Sequence, residues 1–297
     1  DPEGQDADFW YLGCIDATLW WLIAVDHVRR AGPVNPDRWQ AGVDRAIAWL
    51  LAQEHQRFRL LQQNEASDWA DIMPRSGYVL YTNALWYDVK RRFGLADAEA
   101  THHHFNHLFD PFQRDLPEYH RARLLRHYAR RGRRDPGLYL SFVNLAVSGH
   151  EGDVFGNLMA ILNGLADTAK CQQIVQTIDR AHADDPYPVR VVLHPLSRQH
   201  ELWRPYMGRH QQNSVHQYHN GGIWPFVGGY WVMALARLGM QEQARSALTR
   251  LAQANALDDW RFTEWFHGRT LKPMGMAGQS WNAATFLLAR RAVEGEA

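Results

Sequence analysis

The stretch QYHNGGIWPF, residues 217–226, is the most informative part of the sequence for the fold. Its paired glycines, Gly221 and Gly222, predict a tight turn, because glycine adopts backbone conformations that other residues rarely reach. The apolar residues 223–238 predict that a helix follows this turn. A phosphate-binding loop would need a lysine after the glycines, and none is present. Four side chains around the turn are candidates for ligand recognition: Tyr218, His219, Asn220 and Trp224.

Hydrophobic periodicity elsewhere predicts a predominantly helical chain. Trp39, Val43 and Leu50 recur at the spacing of one helix face. Asn35, followed by proline, is typical of the start of that helix. Because no alternation of strands and helices and no internal repeat is found, we predict one all-α domain over residues 1–297. About nine helices are expected, at residues 17–32, 36–51, 78–93, 116–131, 157–166, 169–182, 223–238, 241–254 and 279–293.

Two polar segments, residues 62–77 and 194–222, are longer than most connections inside a compact domain. Loops of this length are commonly functional, so we expect binding residues in both. Residues 138–147 and 189–194 are compatible with either strands or linkers.

Tryptophan is over-represented, with 13 residues among 297, beside 11 Tyr and 12 Phe. This aromatic content excludes a disordered chain. Helix-face tryptophans such as Trp39 and Trp49 are expected in the core. A second population lies in polar loops, where an aromatic face is available for stacking on a ligand: Trp69, Trp224, Trp265 and Trp281.

The charge balance argues against a nucleic-acid partner, and the lack of a long apolar run argues against a membrane span. Lys+Arg and Asp+Glu number 32 each, whereas a nucleic-acid binder normally has a basic surface. We interpret the basic residues 121–134 as a solvated helix face. No apolar run reaches the roughly 18 residues that span a bilayer. Since no signal peptide is recognisable, a cytoplasmic location is expected.

Cysteine and histidine usage gives no sign of a metal or a disulfide framework. Cys14 and Cys171 are the two cysteines, and neither lies in a metal-binding motif. His102, His103 and His104 are adjacent, which is not the spacing of a zinc site. We therefore expect neither a metal nor an organic cofactor.

Asp16 is the first candidate catalytic residue. It begins a helix in the segment GCIDATLWW, residues 13–21, where aromatic side chains including Trp20 surround it. Asp16 is either an ordinary helix N-cap or a general acid. A general acid needs a raised pKa, which apolar walls or a second carboxylate would supply.

Glu264 is the second candidate, in the aromatic segment WRFTEWFHG, residues 260–268. A carboxylate among Phe262, Trp265 and Phe266 is costly unless it is paired or used. The alternative is an amphipathic strand with Glu264 facing solvent. Two carboxylates are the minimal machinery for glycoside hydrolysis.

Two further segments carry side chains suited to sugar hydroxyls. One is the loop DWADIMPRSG, residues 68–77, and the other is GQSWN, residues 278–282, at the start of the last helix. The first is also compatible with a purely salt-bridged loop. The candidate substrate-binding residues in these segments are Trp69, Asp71, Arg75, Gln279 and Trp281.

Several of these motifs resemble inverting glycoside hydrolases. YHNGGIWP, residues 218–225, resembles the YHNGGxWP signature of the neutral/alkaline invertases (glycoside hydrolase family 100) and of bacterial amylo-α-1,6-glucosidases. IDATLWW, residues 15–21, is similar to the invertase stretch PVDSGLWW, and FTEWFHG, residues 262–268, is similar to WPEYYDG. FGNLMAIL, residues 155–162, and QSW, residues 279–281, match LGNLxAIL and QTWS. By contrast, residues 69–75 and 83–87 resemble glycogen-debranching glucosidases, which puts sucrose specificity in doubt.

The resemblance implies a fold, two catalytic roles and a substrate class. The family's Asp is the general acid and its Glu the general base, which assigns Asp16 and Glu264 to those roles. The family fold is an (α/α)6 barrel of twelve helices with long active-site loops. Because the chain begins with Asp1 and the general acid comes only 16 residues in, we expect the N-terminal barrel helices to be missing or supplied by another chain.

The expected activity is therefore inverting hydrolysis of an α-glucosidic bond, either an α-1,6-glucoside or a sucrose-like substrate. A true sucrose-specific invertase is one alternative. A sugar-binding fragment with weak or no turnover is another, and a purely structural helical protein is a third. The expected partner is a small carbohydrate, with a homo-oligomer or a second chain as a further possibility.

Overall fold

A computed structural model describes residues 13–32, 35–112, 135–144 and 147–295. The chain divides into two compact units. The N-terminal unit contains residues 1–133 and 139–149, and the C-terminal unit contains residues 134–138 and 150–297. Helices dominate both units, which confirms the predicted fold class.

The N-terminal unit contains four of the described helices and one small sheet. Helix α1 packs against α3, and α3 packs against α4. The sheet is antiparallel in the order β1-β2-β3, with Tyr78 paired to Val143 and Val143 paired to Ser148. The elements are α1 (Ile15–Ala31), α2 (Gln40–Gln53), β1 (Tyr78–Val79), α3 (Leu80–Phe93), α4 (Ala98–Phe109), β2 (Phe142–Asn144) and β3 (Val147–Ser148).

The C-terminal unit contains the other five described helices. Helix α7 lies at its centre and packs against α5, α8 and α9. Strands β4 and β5 form an antiparallel pair beside Glu264. The elements are α5 (Val154–Leu162), α6 (Thr168–Arg180), α7 (Pro225–Arg237), α8 (Gln241–Trp260), β4 (Trp265–Phe266), β5 (Pro273–Met274) and α9 (Ser280–Glu294).

Eight of the predicted helices are confirmed, with ends shifted by a few residues. Asn35 caps the chain as expected, because its side chain accepts a hydrogen bond from the Asp37 backbone N–H at 2.9 Å. The segment it caps is a 3-10 turn, Pro36–Trp39, that leads into α2. Helix α3 ends at Gly94, which adopts a left-handed conformation. The predicted helix at residues 116–131 and the whole basic cluster at 121–134 lie outside the described residues.

One helix was missed, one open assignment is decided and one expectation is wrong. Helix α4 was not predicted at all. Residues 138–147 contain short strands, whereas 189–194 forms only isolated bridges. Trp49 is not a core residue, since 45% of its surface is exposed. Trp21 is also exposed, and its ring lies over Gly42, so these two tryptophans line an open surface between α1 and α2.

Among the described residues, no helix is both long and apolar enough to cross a membrane.

Candidate active site

Asp16 lies inside the first turn of α1, not at its N-cap. The N-cap position is occupied by Cys14, whose side chain makes no capping bond to the helix. Asp16 is only 4% exposed. The N-cap interpretation of Asp16 is therefore wrong, and its burial needs another explanation.

Within the described part of the chain, each oxygen of the Asp16 carboxylate accepts a side-chain hydrogen bond. The Tyr81 hydroxyl donates to Oδ2 at 3.0 Å, and the Cys14 thiol donates to Oδ1 at 2.8 Å. Tyr81 in turn accepts a hydrogen bond from the Trp20 indole N–H at 2.7 Å. Cys14 and Trp20 lie at and near the start of α1, whereas Tyr81 lies on α3, so packing of α1 on α3 builds the surroundings of Asp16.

Burial, followed by the negative charge of Asp68, raises the pKa of Asp16 from 3.8 to about 6. The hydrogen bonds from Cys14 and Tyr81 act in the opposite direction, because they stabilise the charged form. Burial and a nearby carboxylate are the two causes that the sequence suggested could raise the pKa of a general acid here. Asp16 therefore remains protonated up to a pH at which an exposed aspartate is fully charged.

The loop at residues 62–77 supplies that second carboxylate. It is tied to α1 by a backbone hydrogen bond from Ile15 N–H to the Ser67 carbonyl at 3.0 Å. Asp68 is 3% exposed and accepts hydrogen bonds from the Ala70 backbone N–H at 2.8 Å and from Gln63 at 2.9 Å. The same loop brings the Trp69 ring to 6.4 Å from Tyr81.

The other predicted residues of this loop differ in accessibility. Trp69 and Asp71 are partly buried, so each retains some exposed surface. Arg75 is only 2% exposed. The structure thus gathers the predicted N-terminal residues Asp16, Trp20 and Trp69 around Tyr81, which the sequence did not single out.

Glu264 lies in the C-terminal unit, directly before β4, and is partly buried. Its Oε2 accepts a hydrogen bond from the Met276 backbone N–H at 2.9 Å, and its own N–H donates to the Met276 carbonyl at 2.9 Å. Gly275 allows this approach, since a Cβ there would lie 2.3 Å from Oε2. The carboxylate is thus fixed by backbone contacts outside the strand.

The signature at residues 217–226 lies beside the Glu264 segment. Ile223 and Phe266 exchange two backbone hydrogen bonds of 2.8 Å each. Gly222 permits the contact, because a Cβ there would meet the Tyr218 carbonyl at 2.5 Å and the Trp265 ring at 3.2 Å. The paired glycines therefore form a tight turn, as predicted, and this turn brings Ile223 into contact with β4.

Two residues of the signature have structural roles. The Asn220 side chain is fully buried, and its amide makes hydrogen bonds to the Leu196 backbone at 2.7 and 2.9 Å and to the Asn213 carbonyl at 3.1 Å. Trp224 is 1% exposed, and its indole N–H donates to the Tyr218 carbonyl at 3.0 Å. The geometry favours positioning of the loop by these two residues over the predicted contact with substrate.

The remaining predicted residues extend this aromatic cluster. The His219 ring is stacked on Trp224, with centroids 4.8 Å apart and planes 5° apart, and Tyr218 contacts both rings. Trp281, at the start of α9, stacks on Phe226 at 4.9 Å and remains 42% exposed. Trp281 therefore has a face available to a ligand, whereas His219 is 2% exposed.

Helix α9 is also tied to the Glu264 segment. The Gln279 backbone N–H donates to the Phe262 carbonyl at 3.2 Å, and the Asn282 side chain donates to the Thr263 carbonyl at 2.7 Å. Gln279 itself occupies the N-cap position of α9 and is partly buried. Three predicted motifs thus converge around Glu264 in the C-terminal unit.

No group of three or more His, Cys, Asp or Glu side chains in the described segments is arranged to hold a metal ion. The adjacent histidines lie on α4, where His104 is buried and burial lowers its pKa to about 4.

The fold is that of the (α/α)-barrel glycoside hydrolases. A GH63 mannosylglycerate hydrolase from Thermus thermophilus, solved in complex with glucose, matches 91% of this chain and 75% of its own chain with a TM-score of 0.64. The sequence identity is 14%, so this similarity concerns the fold alone.

Residues 150–295 match the sequence profile of the alkaline and neutral invertase family. They include the signature and Glu264, and the resemblance seen in the sequence is thereby confirmed. Alkaline/neutral invertase C, mitochondrial, of Arabidopsis thaliana is 25% identical over 142 residues, 47% of this chain. Neutral/alkaline invertase 1, mitochondrial, of Oryza sativa subsp. japonica is 28% identical over 137 residues, 44% of this chain. The chain spans about a fifth, 21%, of the length of each of these relatives.

Proposed function

We propose that this chain carries the catalytic residues of an inverting glycoside hydrolase that cleaves an α-glucosidic bond. Asp16 donates a proton to the glycosidic oxygen, and the bond from that oxygen to the anomeric carbon breaks. Glu264 takes a proton from the water that attacks the anomeric carbon from the opposite face. The products are a sugar of inverted configuration and an alcohol.

The environment of Asp16 is the observation that carries this proposal. A buried carboxyl whose pKa is raised to about 6 is a suitable proton donor near neutral pH. Two hydrogen bonds orient it, and Trp20 and Trp69 both contact Tyr81, which donates one of them. A purely structural aspartate would not benefit from being held in an environment that disfavours its charge.

The role of Glu264 is supported by its surroundings and by the family. It lies within residues 150–295, which match the invertase family, and the Met276 backbone N–H binds its carboxylate. Trp281 and Tyr218 are proposed to contact the sugar, together with Trp20, Trp69, Asp71 and Arg75. Direct contacts of His219 and Gln279 with substrate are part of the same proposal.

Anomer-resolved hydrolysis tests the reaction type. The chain is incubated with sucrose, isomaltose, trehalose and short α-1,6-branched dextrins, and the first-formed product is observed by proton NMR. We expect β-glucose from an α-glucoside. If the glucosyl unit whose anomeric carbon is attacked appeared first as α-glucose, that would contradict inversion; glucose that departs as the leaving group, as from trehalose, keeps its own configuration and is counted separately. Release of no sugar from any substrate would contradict the hydrolase proposal in favour of a sugar-binding chain.

The same panel decides between two substrate classes. The invertase relatives favour sucrose, whereas residues 69–75 and 83–87, which resemble debranching glucosidases, favour an α-1,6-glucoside. We propose the α-1,6-glucoside first, because the loop next to Asp16 carries the debranching-like residues. A preference for sucrose over isomaltose would reverse this order.

Replacing Glu264 with glutamine is expected to lower kcat by about 10²- to 10⁴-fold, because the amide cannot accept the proton of the attacking water. The fold should persist, since the Gln oxygen can still accept the Met276 N–H. Glu242→Gln, an exposed change in the first turn of α8, is the matched control. Equal kcat values for the two variants would remove Glu264 from the reaction.

Replacing Gly275 with alanine is expected to lower kcat by about tenfold or more, because the new methyl group displaces the Glu264 carboxylate. Gly278→Ala is the control, since Gly278 has a φ of +74° against +73° for Gly275 but no atom within 4 Å of its Cβ position. Both variants carry the same backbone strain. A similar kcat for both variants would show that the close contact between Gly275 and the Glu264 carboxylate does not affect catalysis.

A further inference from the structure

The two oxygens of Asp16 have unlike neighbours. Oδ2 accepts from Tyr81, which is 1% exposed, whereas Oδ1 accepts from Cys14, which is exposed. One side of the carboxyl therefore faces the interior of the N-terminal unit. The other side faces a residue that solvent reaches.

The Tyr81 hydroxyl donates its hydrogen to Asp16. A tyrosine hydroxyl has a single hydrogen, and an indole N–H only donates. Because the Trp20 N–H donates to the Tyr81 oxygen at 2.7 Å, the Tyr81 hydrogen points at Asp16 Oδ2, 3.0 Å away. The chain Trp20 to Tyr81 to Asp16 thus runs in one direction and ends on one carboxylate oxygen.

We propose that Tyr81 is the positioning residue of the general acid: by binding Oδ2 it leaves Oδ1 as the oxygen that delivers the proton to the glycosidic oxygen. This inference rests on the proposed function, and it assigns a role to a residue outside the family motifs. Trp20 supports it by orienting the Tyr81 hydroxyl. The Cys14 thiol, a weak donor, gives way when the glycosidic oxygen approaches Oδ1.

The hydrogen bond acts mainly during proton transfer. As the proton leaves Oδ1, the bond between the anomeric carbon and the leaving oxygen breaks and Asp16 becomes a carboxylate. The hydrogen bond from Tyr81 to Oδ2 then becomes charge-assisted and therefore stronger. An interaction that is stronger in the transition state than in the ground state raises kcat, not the affinity for substrate.

The test measures the pKa of Asp16 directly. Among the residues that the structure describes, the titratable groups that act on this carboxyl are Cys14, Asp68 and Tyr81. Aspartate labelled with carbon-13 in the carboxyl group is incorporated into the full chain, and its NMR signals are followed against pH. The signal that disappears in Asp16→Asn identifies Asp16.

Tyr81→Phe is expected to raise the pKa of Asp16 above that of the wild type and to lower kcat by about tenfold or more, with KM little changed. Trp20→Phe should shift the pKa in the same direction by less, because the Tyr81 hydroxyl remains but is no longer oriented. If Tyr81→Phe does not fold, Trp20→Phe still tests the proposal, because it keeps the Tyr81 hydroxyl and an aromatic ring at position 20. Tyr78→Phe is the control, because this half-buried hydroxyl contacts Gln62 and not Asp16.

An unchanged Asp16 pKa in both Tyr81→Phe and Trp20→Phe would overturn the assignment, whatever the activity. A raised pKa with unchanged kcat would overturn the role of Tyr81 in proton delivery. Absence of turnover by the wild type would defeat the proposed function instead. The titration separates these failures because it needs no substrate.

Discussion

Replacing Asp16 with asparagine is expected to lower turnover by orders of magnitude and, at neutral pH, to make the protein more stable. The loss of turnover follows from removal of the proton donor and should reach about 10²- to 10⁴-fold in kcat. The gain in stability follows from the same burial that makes Asp16 a suitable acid. One substitution therefore tests the function and its physical cause together.

The sign of the stability change follows from linkage between protonation and folding. The pKa of Asp16 is about 6 in the folded chain against a reference value of 3.8. Between these two values the folded state binds more protons than the unfolded state, so stability falls as the pH rises. A shift of about two units corresponds to a cost on the order of 3 kcal/mol above pH 6, and the cost vanishes below pH 3.8. Asparagine carries no charge at any of these pH values and avoids the cost.

Urea unfolding of wild type and Asp16→Asn at pH 4, 5, 6 and 7 measures this prediction. The difference in the free energy of unfolding should grow in favour of the variant as the pH rises. Asp44→Asn, an exposed change on α2, is the control and should show the pH dependence of the wild type. A constant difference across the series would mean that burial does not raise the pKa of Asp16.

The kcat/KM profile gives an independent check on the same group. A general acid must be protonated in the free enzyme, so kcat/KM should fall as the pH rises through about 6. A fall centred near pH 4 instead would show that Asp16 titrates as an ordinary carboxyl and is not the acid.

Much of the fold follows from periodicity, and the one missed described helix shows where periodicity fails. Helix α4 has the sequence AEATHHHFNHLF, in which four histidines interrupt the apolar pattern. Two of them, His104 and His107, are buried nonetheless. Histidine counts as polar in a sequence pattern, but its ring packs like an aromatic side chain, as the 5.4 Å contact between Phe58 and His104 shows.

The candidate site likewise contains residues that the sequence identified and one that it did not. Asp16 and Glu264 were recognisable because they stand in motifs, and the pKa shift of Asp16 has the causes that its aromatic setting suggested. Tyr81 carries no such signal: it is one aromatic residue on a helix face, and only the packing of α1 on α3 brings it to Asp16. The excess of tryptophan did not separate core residues from ligand-binding residues, since Trp224 and Trp265 are buried while Trp49 is exposed.

The second prediction is a large loss of stability when a buried ion pair in the N-terminal unit is broken. Lys90 on α3 has no exposed side-chain surface and pairs with Glu54, which follows α2 and is 4% exposed. The Trp86 indole donates to Glu54 at 2.7 Å, and Lys90 donates to the Thr101 hydroxyl at 3.0 Å. Burial lowers the pKa of Lys90, while Glu54 raises it and keeps the ammonium charged.

Glu54→Leu should therefore destabilise the chain by about 3–5 kcal/mol, since it leaves the Lys90 ammonium buried without its counter-charge. Lys90→Met should cost less, because Glu54 keeps Trp86 and lies 3.6 Å from Arg59. The double variant should recover much of the loss, since two apolar side chains replace the pair without leaving a charge behind. Glu294→Gln, which breaks an exposed pair with Arg290 on α9, should cost less than about 1 kcal/mol. Urea unfolding of the four variants measures the series, and a double variant no more stable than Glu54→Leu would show that the buried charge is not the source of the loss.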